Sequence, residues 1–300
     1  MEKIDLSIII ISYNTKKLTQ DCLDSCLKSL NKAPFSHEFV VVDNASTDGS
    51  VTMLKKYEAK LKDRFELLAE TQNLGFGKGN NLAVEHARGK YLLLLNSDTI
   101  VLDEAIKELM EFYKKNEQKI HFVGGKLLNK DMSDQPSACR FFTLPVVFSA
   151  LFLRGDYWGL TRFSPQKTKQ VDWISGACIL TKKAYFEALG GFDKDIFLYM
   201  EEVDLLYRAR QKGYLTFFYP KARFIHLGSA SSGGRSFPII QVYKGFLFLY
   251  KKHYSRIALF WLKIMLKLKA SIAVFIGKTT KNQYLIETYE KAYRLVKMDR

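Results

Sequence analysis

Four cysteines in 300 residues are too few for a disulfide scaffold. No C-x-x-C pair occurs, so a structural zinc site is not expected. Cysteine used this sparingly fits a reducing compartment. Long apolar runs are also missing. The longest uncharged one, residues 141–153, contains Pro145. It is shorter than the ~18 residues of a spanning helix and has the length of a buried or interfacial segment. The first five residues carry one lysine against two acids, and the run Leu6–Ile11 is too short for the core of a secretory signal. Acidic charge is the last deficit: 31 Asp and Glu against 46 Lys and Arg leave a net charge of +15. With 47% hydrophobic and 26% charged residues, the composition is globular rather than disordered. The length suits one large domain or two modest ones.

The positive excess is concentrated. Residues 241–300 hold 13 basic and three acidic side chains, so ten of the fifteen net charges lie there. A partner that wants positive charge should therefore touch the tail. Anionic membrane and nucleic acid are the two candidates.

The first hundred residues alternate between buried strands and helices. Leu6–Ile11, Phe39–Val42, Phe65–Leu68 and Tyr91–Leu95 read as strands. Helices are expected from Thr15 to Leu30, from about Ser46 or Asp48 to Leu61, and from Phe76 to Ala87. Strands at this spacing, each followed by a helix, predict a parallel sheet. Further on, a helix is expected over Asp103–Lys115 and a strand near His121–Val123. Residues 126–170 show no clear period. Val171–Leu180 reads as one strand, Thr181 as the cap of a helix that stops at Gly190-Gly191, and a further helix runs from Glu201 to Gly213. Tyr214–Tyr219 and Arg223–His226 read as two strands. From Ile239 the chain reads as helical to its end.

In an open parallel sheet, ligands bind at the carboxyl ends of the strands. The first strand ends in Ser12-Tyr13-Asn14-Thr15, the second in Asp43-Asn44-Ala45-Ser46-Thr47-Asp48, and the fourth in Asn96-Ser97-Asp98-Thr99. Each end alone can be a helix cap; three on one edge point to a site. Asn73-Leu74-Gly75-Phe76-Gly77-Lys78-Gly79 precedes a helix but matches neither dinucleotide nor P-loop spacing. Its amides and Lys78 can meet a phosphate, and a tight turn is the plain alternative. Asp98 has the setting of a magnesium ligand shared with diphosphate oxygens, or of a helix cap. Glu201, Glu202 and Asp204 fall in one helical turn. Glu201 and Asp204 share a face, and Glu202 points about 100° away. A solvated, dipole-matched face explains them, but apolar Phe197, Leu198, Tyr199 and Leu205 around them favour partial burial and a usable general base. His226 opens the loop Gly228–Gly234, which leads to Arg235. That is the layout of a lid over a phosphate, although a lone histidine is more often structural.

Taken in order across residues 5–235, these segments, with Asp172–Ala177 and Gly190–Asp193, resemble the inverting family-2 glycosyltransferases. The likeness is greatest to the bacterial rhamnosyltransferase-like branch. The resemblance implies an α/β GT-A fold, a Rossmann-like, mainly parallel sheet flanked by helices. It implies a nucleotide-binding half over 1–100 and an acceptor-binding half over 101–238. It also implies a nucleotide-diphospho-sugar donor, dTDP-rhamnose by that branch, with Mg or Mn as cofactor. The donor would meet Ser12, Tyr13, Asn14, Asp43, Asn73, Gly75, Lys78, Asn96, Asp98 and Arg235. Asp43 would hydrogen-bond base or ribose, and Asp98 and His226 would hold the metal. Glu202 would be the catalytic base, with Glu201 and Asp204 beside it. Two positions depart from the family pattern: Asn96 replaces the first acid of D-x-D, and Glu201-Glu202 replaces Glu-Asp. The acceptor implied is a glycan or polyprenyl-linked hydroxyl in cell-surface polysaccharide synthesis.

The remaining residues, 239–300, form a basic extension. From Lys252 a helix would gather Lys252, Arg256, Lys263 and Lys267 within about 60°. Ile257, Phe260, Trp261 and Leu268 lie among the apolar residues around them. This is the composition of an interfacial anchor; a core helix with a solvated lysine face is the alternative. The expectation is a cytoplasmic protein held at the inner face of the cell membrane, with no nucleic-acid partner. Two rivals stand beside the transferase. A nucleotidyltransferase would need a glycine-rich loop after the first strand, where Ser12–Lys17 has none. A nucleic-acid-binding protein would leave the three polar strand ends without a role.

Overall fold

The structure, a computed structural model, describes residues 4–228 and 236–299. The strands are β1 (Leu6–Ser12), β2 (His37–Asp43), β3 (Phe65–Ala69), β4 (Tyr91–Asn96), β5 (Thr99–Val101), β6 (Phe122–Leu128), β7 (Asp134–Gln135), β8 (Ala138–Cys139), β9 (Arg162–Phe163), β10 (Lys169–Val171), β11 (Trp173–Ile174), β12 (Cys178–Lys182) and β13 (Thr216–His226). The helices are α1 (Lys16–Ser29), α2 (Ser50–Leu61), α3 (Phe76–His86), α4 (Ala105–Asn116), α5 (Leu144–Phe152), α6 (Lys183–Ala188), α7 (Glu201–Gln211), α8 (Ser236–His253), α9 (Arg256–Thr279) and α10 (Gln283–Met298).

Two compact units divide the chain. The first comprises Met1–Cys139, Phe163–Phe197 and Glu201–Ser231. Its main sheet runs β10-β13-β6-β12-β4-β1-β2-β3, with β5 on β13 and β7 on β6. The β4-β1-β2-β3 half is parallel, as the alternation predicts. β12 then enters antiparallel to both β4 and β6, which makes the whole sheet mixed. Ile8–Ile11 in β1 and Phe39–Val42 in β2 are unbroken apolar runs because helices cover both faces; Ile8, Ile9 and Ile10 are all fully buried. Leu23, Cys26, Leu54, Leu109, Met110 and Tyr113 complete one core with the odd side of β4. All four cysteines are buried and none forms a disulfide.

Three differences from the sequence reading have local causes. Val171–Leu180 is three strands, because the Ser175-Gly176 turn separates β11 from β12 and Asp172 separates β10 from β11. The two strands expected around Pro220 are one, β13, whose register against β6 shifts between Tyr219 and Arg223. A proline cannot donate to the ladder, so the strand bulges there and resumes. Thr181 does not cap a helix; it lies in β12 and its hydroxyl donates to the His121 carbonyl at 2.7 Å.

The second unit comprises Arg140–Arg162, Leu198–Met200 and Ser232–Arg300. The tail is three helices rather than one. α8 ends at His253, so Lys252 does not share a helix with Arg256, Lys263 and Lys267. The Ser255 hydroxyl accepts from the Ala258 amide and starts α9; Asn282 accepts from the Leu285 amide and starts α10. Leu262, Leu266, Ala270, Ala273 and Gly277 face inward. Lys263 is spent on Asp299, at 2.9 Å, and Lys251 pairs with the same carboxylate. No helix among the described residues is long and apolar enough to cross a membrane.

Candidate active site

β4, β1 and β2 are parallel neighbours, so their three polar ends emerge side by side: Ser12 is in register with Asp43, and Ile11 with both Val42 and Asn96. Several of these residues hold the edge together. The buried Ser12 hydroxyl lies 3.1 Å from Thr19 Oγ1, and Thr15 Oγ1 lies 3.3 Å from Ser97 Oγ. Tyr13 is half-buried between them in sequence. Asn14 sits at φ +51°. Its amide donates to Ser46 Oγ and its Oδ1 accepts from the Thr47 amide, both at 2.8 Å, which joins the β1 loop to the β2 loop. Asp48 accepts from the amides of Lys16 and Ser50. Burial pulls its carboxyl upward, but the Ser50 hydroxyl and these amides hold it below the usual range.

Other acceptors are left short of partners. Asp43 is fully buried; its Oδ1 accepts from the Ser46 amide at 2.8 Å, while its Oδ2 has no hydrogen bond. Asn44 Nδ2 donates to the Gly75 carbonyl at 3.3 Å, and its Oδ1 also has none. Buried polar atoms are normally satisfied, so orphans gathered at one sheet edge mark a place built for ligand donors.

The glycine-rich loop is fixed by close approach. Asn73 Oδ1 accepts from the Gly75 amide at 2.9 Å. Gly75 lies at φ +80°, and a Cβ there would come within 2.5 Å of the Phe197 carbonyl oxygen. That same oxygen accepts from the Phe76 amide at 3.1 Å. Lys78, in the first turn of α3, is exposed.

Asp98 is 8% exposed, and β13 brings His226 to it: Nε2 lies 3.4 Å from Asp98 Oδ1 and 3.3 Å from Asn96 Nδ2. Asn96 Oδ1 is buried without a partner. A carboxylate, an imidazole nitrogen and an orphaned amide oxygen in one place fit a hard divalent cation that takes its other ligands from a diphosphate. Among the described residues no three His, Cys, Asp or Glu side chains cluster as a metal site. A cation here would therefore rest on two such side chains and the Asn96 amide.

α7 carries the acids. Asp204 is fully buried and pairs with Arg208 Nε at 2.8 Å; the same guanidinium donates to the carbonyls of Leu189 and Gly191. Asp204 thus belongs to a buried ion pair that fixes the Gly190-Gly191 turn. Glu201 is 4% exposed and its Oε2 has no partner. Burial, and then the neighbouring Glu202 charge, push the Glu201 carboxyl well above the usual carboxylate range. Glu202 is half-buried and packs over Gly176, where a Cβ would be 3.8 Å from Glu202 Cδ. Gly176 directly precedes Ala177, whose carbonyl accepts from the Asn96 backbone amide at 3.1 Å. Glu202 therefore lies over the same segment that borders the β4 end. Arg235 and most of the loop before it lie outside the described residues.

The raised carboxyl of Glu201 has a stability consequence. A carboxyl shifted upward by folding contributes stability that is fully present below its unfolded value, about 4.3, and is lost as pH rises through the folded value. Glu201→Gln cannot ionise. Its Tm should gain on that of the wild-type protein as pH rises above about 4.3, by roughly 2–4 °C for each kcal/mol relieved. Parallel Tm–pH curves for the two proteins would show that Glu201 ionises freely.

Sequence reading did not single out Gln135, Gly176 or the Phe197 carbonyl. The first lies in a stretch without periodicity. The others act through close approach or a backbone atom, which no residue type announces.

The mixed sheet with its polar carboxyl edge has the GT-A fold. A solved mannosyltransferase from Pyrobaculum calidifontis, in complex with GDP-Man and Mn2+, superposes with a TM-score of 0.58 at 16% identity, over 97% of this chain and 74% of that one. The chain belongs to glycosyl transferase family 2, whose profile matches residues 7–187. It is 32% identical over 132 residues to the poly(ribitol-phosphate) beta-glucosyltransferase of Bacillus spizizenii, covering 42% of this chain but only 21% of that enzyme. To the N-acetylglucosaminyl-diphospho-decaprenol L-rhamnosyltransferase of Mycobacterium tuberculosis it is 25% identical over 249 residues, 76% of this chain and 78% of that one. Family membership favours the transferase over both rivals raised by the sequence.

Proposed function

We propose that this chain transfers a sugar, with inversion, from a nucleotide-diphospho-sugar to a hydroxyl of a glycan or polyprenyl-linked acceptor in cell-surface polysaccharide synthesis. The observation that carries the reading is the gathering of orphaned acceptors and the Asp98–His226 pair at one sheet edge, with Glu202 over its border. The mycobacterial relative, named for rhamnose and a lipid diphosphate, favours rhamnose as the sugar, and the branch resemblance makes dTDP-rhamnose the donor. Residues 1–100 serve as the donor half, 101–238 as the acceptor half and 239–300 as a membrane-contacting extension.

Asp43 Oδ2 is the acceptor for a base or ribose donor. Because Asp43 is fully covered, that contact requires local movement. Ser12, Tyr13, Asn14, Asn73 and Gly75 shape the pocket, and Lys78 and Arg235 meet the diphosphate. Asp98, His226 and the Asn96 amide would hold Mg or Mn, which when bound supplies charge neutralisation for the diphosphate leaving group. Glu202 takes the proton of the acceptor hydroxyl as that oxygen attacks the anomeric carbon and the bond to the diphosphate breaks. Burial favours the neutral form of Glu201, so the base role falls to Glu202. One displacement with one base needs no second carboxylate nucleophile, which is why inversion is favoured.

A thermal-shift panel of UDP, dTDP, GDP and CDP, each with and without Mn2+ or Mg2+, tests the donor site. One nucleotide at 100 times its Kd should stabilise by about 2.7 kcal/mol. Asp98→Ala should lose the metal-dependent part. No shift with any nucleotide would sink the reading.

The membrane proposal rests on α9. Opposite its inward face, Ile257, Trp261, Ile264, Leu268, Ile272 and Phe275 fall on a sector of about 80°. Ile257 is 73% and Phe275 68% exposed. Arg256 and Lys267 border the stripe. Tyr157 and Trp158, after α5 in the same unit, are also exposed. An outward apolar face with aromatics and a basic flank matches an interfacial helix, here at the inner face of the cell membrane. The protein should pellet with vesicles containing roughly one-third anionic lipid, less so in high salt. Serine at positions 257, 261 and 275 should abolish pelleting and leave nucleotide binding intact. Equal pelleting with neutral vesicles in high salt would remove the electrostatic part.

A further inference from the structure

We infer that Gln135 is a positioning residue for His226: it fixes the imidazole tautomer whose Nε2 lone pair faces Asp98. The inference rests on reading Asp98, His226 and Asn96 as the cation site.

The argument starts from a two-residue strand. β7 pairs with β6, Gln135 opposite Leu127, and β13 runs beside β6 with Ile225 opposite Leu128. This pairing carries the Gln135 side chain to the end of β13. Its amide orientation is over-determined. Gln135 Nε2 donates to Asn129 Oδ1 and to the His226 carbonyl, both at 3.0 Å. A backbone carbonyl cannot donate. Nor is Asn129 free to turn its amide round, because its own Nδ2 donates to Ser133 Oγ at 2.9 Å and to the Asp134 carbonyl at 3.4 Å. Gln135 Oε1 is therefore the end that faces His226 Nδ1, at 2.7 Å. An amide oxygen only accepts, so Nδ1 carries the proton. In a neutral ring the lone pair then sits on Nε2.

That lone pair faces Asp98 Oδ1 at 3.4 Å and accepts from Asn96 Nδ2 at 3.3 Å. A carboxylate oxygen and an imidazole lone pair at this separation repel each other unless a cation or proton comes between them. Gln135 thus keeps the pair arranged as two acceptors. Hydrogen-bond partners of metal-ligating histidines set tautomer and orientation in this way, and their loss typically costs 10–100-fold in metal affinity.

The test uses the full chain labelled with 15N-histidine. Long-range 1H–15N correlation at about pH 8, above the usual imidazole range, reads the tautomer of each of the five histidines. The His226→Gln variant identifies the His226 signals. The wild-type protein should show His226 with its proton on Nδ1. Gln135→Leu should move that proton to Nε2, where it donates to Asp98, and should weaken Mn2+ binding, followed by electron paramagnetic resonance, about 10–100-fold. Gln135→Glu loses the same two donated bonds but keeps an acceptor for Nδ1. It should restore the tautomer and most of the affinity, whereas a merely structural Gln135 would fail alike in both variants. A wild-type His226 protonated on Nε2, or unchanged in Gln135→Leu, overturns the inference. A tautomer that follows Gln135 while Mn2+ neither binds nor broadens His226 supports the positioning role and overturns the cation-site reading.

Discussion

Glu202→Gln should lower the rate of sugar transfer by about 10²–10⁴-fold, the usual worth of a positioned general base. The nucleotide-induced thermal shift should remain, because the change keeps the side-chain shape and touches no donor contact. The three acids of α7 differ in surroundings, and those differences single out Glu202. Asp204 is committed to Arg208 inside the unit. Glu201 is buried, and that burial, then the Glu202 charge, push its carboxyl upward. Glu202 alone of the three is half-exposed, over Gly176. Steady-state kcat is the measurement. Transfer within a few-fold of wild type would move the role to Glu201 or Asp204.

Arg208→Met should cost about 3–5 kcal/mol of stability, measured by chemical denaturation. The guanidinium compensates Asp204, whose side chain is 0% exposed, and it also donates to the carbonyls of Leu189 and Gly191. Removing it leaves a buried carboxylate without its cation and frees the turn that ends α6. The double variant Arg208→Met with Asp204→Leu should recover much of the loss, because a shape-matched apolar pair avoids the desolvation cost. A loss under about 1 kcal/mol in the single variant would mean that water reaches Asp204.

The parallel half of the sheet was legible because burial on both faces leaves a simple mark. Leu6–Ile11, broken only by Ser7, and Tyr91–Leu95 are apolar runs, and the structure extends each by a single residue, Ser12 and Asn96. Their polar ends were legible for the same reason: the pattern stops where the strand leaves the core. Residues 126–170 were not. β7, β8 and β9 are two residues each, too short for any period to register. β6 is fully buried, but Gly124-Gly125-Lys126 interrupts its apolar run, and Lys126 is admitted by its ion pair with Asp134 at 2.7 Å and its hydrogen bond to Gln166 at 3.3 Å. Gln135 lies in this stretch, so its reach to His226 came only from three-dimensional pairing. In the tail, α9 is apolar on opposite sides, and composition alone did not say which side is inward.

One backbone oxygen ties two parts of the proposed reaction centre. The Phe197 carbonyl is held by the Phe76 amide, and Gly75 has no side chain that would push it away. Phe197 lies four residues before Glu201. A donor that reshapes the Gly75 loop therefore acts on the approach to the acid-bearing helix, and the linkage runs equally in reverse. Bisubstrate kinetics express this as coupled constants. Saturating donor should tighten acceptor binding by the same factor that saturating acceptor tightens donor binding. Random addition with independent constants would mean that the two halves move separately.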